Sequence, residues 1–243
     1  LVLIVDEFDS IPQAALSDLL QTWRAIYLHS DPPRSLHSVV LIGIQNIAAL
    51  NLGRSSPFNI ARQIRLPDFS LDEVRDLLAQ YTAETGQNFT TPAVAEIYTQ
   101  TAGQPFLVNR LATIITEEVV PVRSESITRT HVQSARDQLV RESNYNFETL
   151  QRHAAVYQEE VLRILFGGTY PFTRNSPVVK TLEMYGIISE TAEGNCQVAN
   201  PIYERVLIDH FTPFEIGLSA DILVNGHDFR PYAVDGAIQM KTI

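Results

Sequence analysis

Apolar and polar residues change rhythm several times along this chain, and each change marks an element. Leu1-Val2-Leu3-Ile4-Val5 is an unbroken run of strand formers, as expected of a strand buried on both faces of a parallel sheet. Over residues 12–28, Leu16, Leu19, Leu20, Trp23, Ile26 and Tyr27 fall at helical spacing, which predicts an amphipathic helix packed on that sheet. The loop 29–37, with Pro32-Pro33, ends it, and Val39-Val40-Leu41-Ile42-Gly43-Ile44 predicts a second buried strand. A third strand is expected over 61–66. Pro67-Asp68-Phe69 then leads to Ser70 and Glu73, whose spacing is that of a capping box, so a helix should run from there to about Glu84.

The next stretch is helical and well punctuated. Thr91-Pro92 supplies an N-cap and a proline at the first helical position, with closure at Gly103. Gly103-Gln104-Pro105 restarts a helix whose Phe106, Leu107, Leu111 and Ile114 face a core. After a polar linker around 122–130 and a helix from about His131 to Glu142, further helices are predicted over 157–166, ending at Gly167-Gly168, and from Ser176-Pro177 to Gly186. Ile187-Ile188-Ser189-Glu190, the turn Glu193-Gly194-Asn195 and Cys196-Gln197-Val198-Ala199 make a hairpin, and 232–238 makes another. Two helices and a short hairpin have the form of a winged helix, whose second helix would enter a major groove if it bound DNA.

Composition narrows the function classes. The 243 residues suffice for one large or two smaller domains, and the hydrophobic fraction is that of a folded chain. A net charge of −10 argues against non-specific coating of nucleic acid, which rests on Lys and Arg neutralising phosphates. From 151 to 243 there are seven Arg and Lys against eleven Asp and Glu, and the predicted recognition helix offers only Lys180, with Arg174 just ahead. Docking of that helix within the molecule is therefore favoured over DNA contact. No apolar run approaches the ~18 residues of a membrane span, and no signal peptide opens the chain. The single Cys196 cannot form an internal disulfide, which suits a reduced, cytoplasmic setting and a core or strand role. The six histidines show no ligand spacing and no G-x-S-x-G elbow occurs. Asp235 with Gln239-Met240-Lys241 only faintly mimics a nuclease motif.

The strongest chemical signal is the end of the first strand, where the apolar run stops at Asp6-Glu7. Ligands of parallel sheets bind where the strands' carboxyl ends emerge, and this pattern reads as the Walker B segment of a P-loop NTPase. The first acid would hold the Mg²⁺ water shell and the second would orient the attacking water, because phosphoryl transfer depends on positioning and charge neutralisation. The simpler alternative is a core strand followed by helix-capping acids. Gln45-Asn46 ends the second strand, where a polar sensor of the γ-phosphate would stand; a loop amide bonding its own turn is the alternative. A Walker A loop, G-x-x-x-x-G-K-[ST], is absent: no glycine precedes a lysine, and Lys180 and Lys241 are the only lysines. With Leu1 already inside a strand, the chain is read as a fragment cut just upstream of Walker B. Alone it should be inactive.

Residues 1–7 and 39–46, Ser56-Pro57-Phe58-Asn59, Leu66-Pro67-Asp68-Phe69, 101–111 and Ala199-Asn200-Pro201-Ile202-Tyr203 together resemble the bacterial AAA-like ATP-binding proteins, over nearly the whole chain. The resemblance implies a truncated α/β P-loop NTPase core of the AAA+ type over 1–69 and a helical lid over 70–120. A linker helix over 121–150, a winged helix over 151–211 and a tail over 212–243 would follow, the last leading to a restriction-endonuclease-like nuclease domain. It implies ATP and Mg²⁺ as cofactors, with Glu7 and Asn46 catalytic, Asp6 on the magnesium through water, and Gln45, Gly103, Pro105 and Arg110 near the nucleotide. The Gly103-Gln104-Pro105 turn resembles one that closes over the base in such ATPases, although by itself it reads as a plain junction between helices. Relatives often carry Arg-Asp where this chain has Gln45-Asn46, and Arg110 is a candidate to compensate, with a solvated helix charge as the favoured alternative. The implied strand order sets 61–66 about two strand spacings, roughly 10 Å, from the other pair. Two functions follow from these readings: an ATPase module controlling an attached, nucleic-acid-directed effector, or a non-catalytic scaffold in which the acids are relics.

Overall fold

The computed structural model describes residues 1–8, 11–28, 36–43, 62, 64, 66–166, 169–212, 223–224, 227–228, 233–234 and 237–238. It divides into two compact units, Leu1–Leu66 and Pro67–Ile243.

In the first unit β1 (Val2–Val5) pairs in parallel with β2 (Ser38–Leu41), Val2 opposite Ser38 and Val5 opposite Leu41, and α1 (Gln13–Leu28) makes the crossover. The helix buries Leu16 and Leu20 with Phe8 in a small core, against which Val5, Ile11, Trp23 and Leu41 pack. Strand side chains alternate between faces, so the residues between those contacts point away: Val2, Ile4 and Val40 stand 56%, 63% and 44% exposed. The apolar run predicted burial on both faces. Among the described residues a single helix packs on this pair and covers one face, and the run of β-branched residues cannot reveal that. Residues 44–46, 56–59 and most of the expected third strand lie outside the described residues; of the latter, Arg62, Ile64 and Leu66 are exposed and outside any strand.

The second unit opens with α2 (Leu71–Thr85), capped as the sequence predicts. The Ser70 N–H and hydroxyl both donate to the Glu73 carboxylate at 2.8 Å, while the Glu73 N–H donates to Ser70 Oγ at 3.3 Å. Then come α3 (Thr91–Thr101), α4 (Pro105–Ile114), a π-helical turn Ile115–Val119 and α5 (Arg129–Leu139). The N-cap of α3 is Thr90 rather than Thr91, and α5 starts two residues before His131. The buried Gln87 amide ends the π turn, its Nε2 donating to the carbonyls of Val120 at 2.9 Å and Val122 at 3.2 Å.

Three helices, α6 (Tyr145–Val156), α7 (Gln158–Phe166) and α8 (Pro177–Met184), precede the antiparallel pair β3 (Ile188–Glu190) and β4 (Cys196–Val198), and α9 (Pro201–Phe211) follows. Helices α6 and α9 were not among the elements the sequence pattern predicts. Each is announced by an Asn N-cap, Asn144 accepting from the Phe147 N–H at 2.9 Å and Asn200 from the Tyr203 N–H at 2.8 Å. Two small hairpins, β5–β6 (Leu223–Val224 with His227–Asp228) and β7–β8 (Ala233–Val234 with Ala237–Ile238), close the described chain. One hydrophobic core runs from Val74 on α2 to Phe211 on α9, with α9 packed against α3, α6 and α7. Cys196 lies in it, and burial pushes its thiol up to about 11. A neutral, buried thiol reacts slowly. In native protein it is expected to resist a thiol reagent that labels it fully in urea.

Candidate functional site

The two carboxylates of interest sit where two backbone hydrogen bonds pinch the chain. Ile42 N–H donates to the Val5 carbonyl at 2.9 Å, and Phe8 N–H donates back to the Ile42 carbonyl at 3.0 Å. Asp6 and Glu7 are thus bridged across the end of β2 while Phe8 is fully buried beneath them. The Glu7 N–H donates to Asp6 Oδ1 at 2.9 Å. Glu7 takes φ 50°, the left-handed region that costs an L residue about 1–2 kcal/mol. Such strain persists only where neighbouring contacts over-determine it, and it clusters at functional sites. Both side chains are exposed at the carboxyl end of a parallel strand. Paired hard-oxygen ligands in that position suit hydrated Mg²⁺, which takes one or two carboxylates and keeps several waters.

Gly103 lies in the turn between α3 and α4, and Pro105 opens α4. Ala102 (φ 48°) and Gly103 (φ 80°) both turn left-handed, and Gln104 then caps α4, its side-chain oxygen accepting from the Leu107 N–H at 2.7 Å. The turn is fastened to the chain entering this unit: Phe69 N–H donates to the Gly103 carbonyl at 2.9 Å. A Cβ on Gly103 would lie 1.8 Å from the Phe69 carbonyl oxygen, so the glycine is needed for contact as well as for φ.

Arg110, in the second turn of α4, is held by carboxylates of its own unit. Its Nε donates to Glu142 Oε2 at 3.0 Å and its Nη2 to Oε1 at 2.5 Å, with Glu118 3.8 Å away. The bidentate Glu142 bond holds the guanidinium above its ordinary range, against some desolvation. Sequence spacing gave no sign of Glu142, which lies 32 residues away. Asp6 and Glu7 therefore form one group, in the first unit, and Gly103, Pro105 and Arg110 another, in the second; Gln45 and Asn46 lie outside the described residues.

Comparison with known proteins gives the family. A model of the AAA-like domain matches residues 1–206. The chain belongs to the AAA-like domain family. No curated protein sequence matches it. Among solved structures, this AAA-like chain is similar to a Walker-type ATPase of Pyrococcus abyssi at 15% identity and a TM-score of 0.53, over 85% of this chain and 62% of that one. It also matches the RuvB Holliday junction branch migration motor of Thermotoga maritima (17% identity, TM-score 0.46, 84% of this chain and 69% of that one). A third match is the Aeropyrum pernix ORC1 protein in complex with DNA (16%, 0.44, 86% and 63%). The chain thus spans less than two thirds of the Pyrococcus ATPase, and that likeness shows the P-loop NTPase fold. Among the described residues no helix is long and apolar enough to cross a membrane.

Two histidines of the AAA-like chain make its stability depend on pH. His153 stacks on Tyr185, ring centroids 3.6 Å apart, and burial, with Arg152 beside it, lowers its pKa below 6.5. Partial desolvation lowers His210 likewise, although its side chain stays exposed. Because both fold preferentially neutral, the unfolded chain binds more protons, and stability present above pH 6.5 is lost as pH falls through that value towards the lowered folded pKa. Denaturation midpoints should drop between about pH 7 and 5, and a His153→Asn, His210→Asn double variant should flatten the drop.

Proposed function

We propose that the chain is the Walker B and lid portion of an ATP-binding module that uses nucleotide binding or hydrolysis to control an attached effector. The observation that carries this reading is the strained Asp6-Glu7 turn, two exposed carboxylates fixed at the carboxyl end of a parallel strand in an AAA-like chain. Asp6 would hold the magnesium through water, and Glu7 would orient and polarise the attacking water. ATP with Mg²⁺ supplies the phosphoryl group and the charge neutralisation. Gly103 and Pro105 would bear on the nucleotide through their turn. Arg110 serves that role only if Glu142 releases it, and Gln45 and Asn46 remain candidate sensors. No phosphate-gripping G-x-x-x-x-G-K-[ST] occurs in these 243 residues, so Mg-ATP titrated into this chain alone should give no binding heat. Low-micromolar affinity would show that the phosphates are gripped elsewhere on it. The decisive test is ATP turnover by the full-length protein with and without the two carboxylates. Turnover that survives loss of both would favour the scaffold.

In the same reading α7, α8 and the β3–β4 hairpin are a winged helix that docks on protein rather than on DNA. Arg174, ahead of α8, is paired with Glu190 of β3 at 2.5 Å, which leaves Lys180 as the cation of that helix. An effector directed at nucleic acid, such as a nuclease domain, would then supply the DNA contact itself. Weak, salt-sensitive binding of duplex DNA that vanishes with Lys180→Ala would instead assign the contact to α8.

A further inference from the structure

The segment entering α8 is bonded to the free edge of the β3–β4 hairpin. Phe172 N–H donates to the Gly194 carbonyl at 2.9 Å and Cys196 N–H to the Tyr170 carbonyl at 2.7 Å, with Pro171 bridged to Asn195, so β4 has a neighbour on each side. Two residues on, the Arg174 guanidinium lies over the Phe172 ring, 5.5 Å from its centroid, and its Nη2 donates to Glu190 Oε2 at 2.5 Å. Glu190 ends β3, opposite Cys196, so this ion pair reaches from one edge of the small sheet to the other. Ser176 then caps α8, its hydroxyl oxygen accepting the Val179 N–H at 3.4 Å, and Lys180 is exposed at the end of the first turn. Between Arg163 and Arg205 the chain carries two cations, Arg174 and Lys180. One of the two is thus answered by an internal carboxylate just ahead of a helix N-terminus, where the helix dipole itself favours an anion.

We propose that Glu190 is an autoinhibitory anion, which occupies the phosphate-accepting fork of Arg174 and keeps α8 off nucleic acid until a phosphate displaces it. The proposal rests on the winged-helix reading and names the group that makes such a helix decline DNA. A guanidinium takes phosphate oxygens as readily as carboxylate oxygens, and the Phe172 ring beneath Arg174 holds it at the start of α8 whichever anion it meets. The contact is weak enough to yield. The Arg174 side chain is 72% exposed and that of Glu190 39%, and exposed pairs of this kind favour the closed state by no more than about fivefold. A phosphate brought close by an attached effector already on DNA would outcompete the carboxylate through its effective concentration. Alone, the helix would stay masked.

Fluorescence anisotropy of a labelled DNA duplex titrated with the whole chain, over a series of salt concentrations, tests it. Glu190→Gln should bind the duplex about fivefold more tightly than the parent at low salt, and the slope of log affinity against log salt should steepen by about 0.9, the signature of one added phosphate contact. Arg174→Ala in the Glu190→Gln background should return both to the parent's values. Glu193→Gln removes a neighbouring exposed charge and frees no arginine, so it should leave the slope unchanged. No difference between Glu190→Gln and the parent overturns the proposal. The winged-helix reading is judged separately: it survives that result if neither protein binds DNA, and falls if both bind through Lys180. A gain that persists without Arg174 overturns the proposal as well. A gain reproduced when polyglutamate replaces the duplex overturns the assignment to nucleic acid and makes the freed arginine a docking point for an acidic protein.

Discussion

In the full-length protein, Glu7→Gln is expected to leave nucleotide binding largely intact and to slow ATP hydrolysis by two orders of magnitude or more, the usual loss when a water-positioning carboxylate is removed. The amide keeps the size of the side chain and can keep the left-handed backbone at φ 50°, but it no longer accepts the water's proton. Asp6→Ala should act differently. It removes the acid proposed to meet magnesium, and with it the oxygen that accepts the Glu7 N–H, so Mg-dependent affinity should fall along with turnover. Glu7→Gly separates chemistry from fold, because glycine relieves the left-handed strain at the cost of more freedom in the unfolded chain. It should match or slightly exceed the parent in stability while abolishing turnover. Steady-state hydrolysis, nucleotide titration and chemical denaturation of the three variants together decide the matter. Wild-type rates in Glu7→Gln and Asp6→Ala would make the carboxylates structural.

Gly103→Ala is expected to be among the most damaging substitutions in the second unit, costing about 3–5 kcal/mol from the sum of left-handed strain and backbone overpacking. The methyl would meet the Phe69 carbonyl oxygen at 1.8 Å and its carbon at 2.8 Å, and neither can yield without breaking the Phe69 to Gly103 hydrogen bond. Gly86 and Gly194 are useful controls. Both are left-handed, yet a Cβ at either meets nothing within 4 Å, so alanine there should cost only the conformational strain, about 1 kcal/mol. Urea denaturation of the three variants reads the difference. Equal losses would mean that φ alone matters and that the close approach to Phe69 is relaxed at little cost.

The sequence by itself determined the local elements, because their causes are local. The β-branched run of β1, the Ser70–Glu73 capping box, Pro92 and Pro105 at helix starts and the left-handed Gly103 are each written within a few residues, and each element formed where those signals stand. The acid pair after β1 and the ordered set of family segments were legible for the same reason, and the family match covers residues 1–206. What the sequence left open depends on partners far along the chain. Whether the β1–β2 pair is covered on one face or two depends on how many elements pack on it, and Val2 and Ile4 look the same in either case. Arg110 reads as a free cation until Glu142, folded back from 32 residues away, neutralises it. The positive φ of Glu7 arises from the two hydrogen bonds through Ile42 that bracket it, and no residue-type preference announces it. Tertiary structure alone also joined Phe69 to Gly103 and Tyr203 to Asn146, since hydrogen bonds between distant segments obey geometry after collapse and leave no periodic trace in the chain.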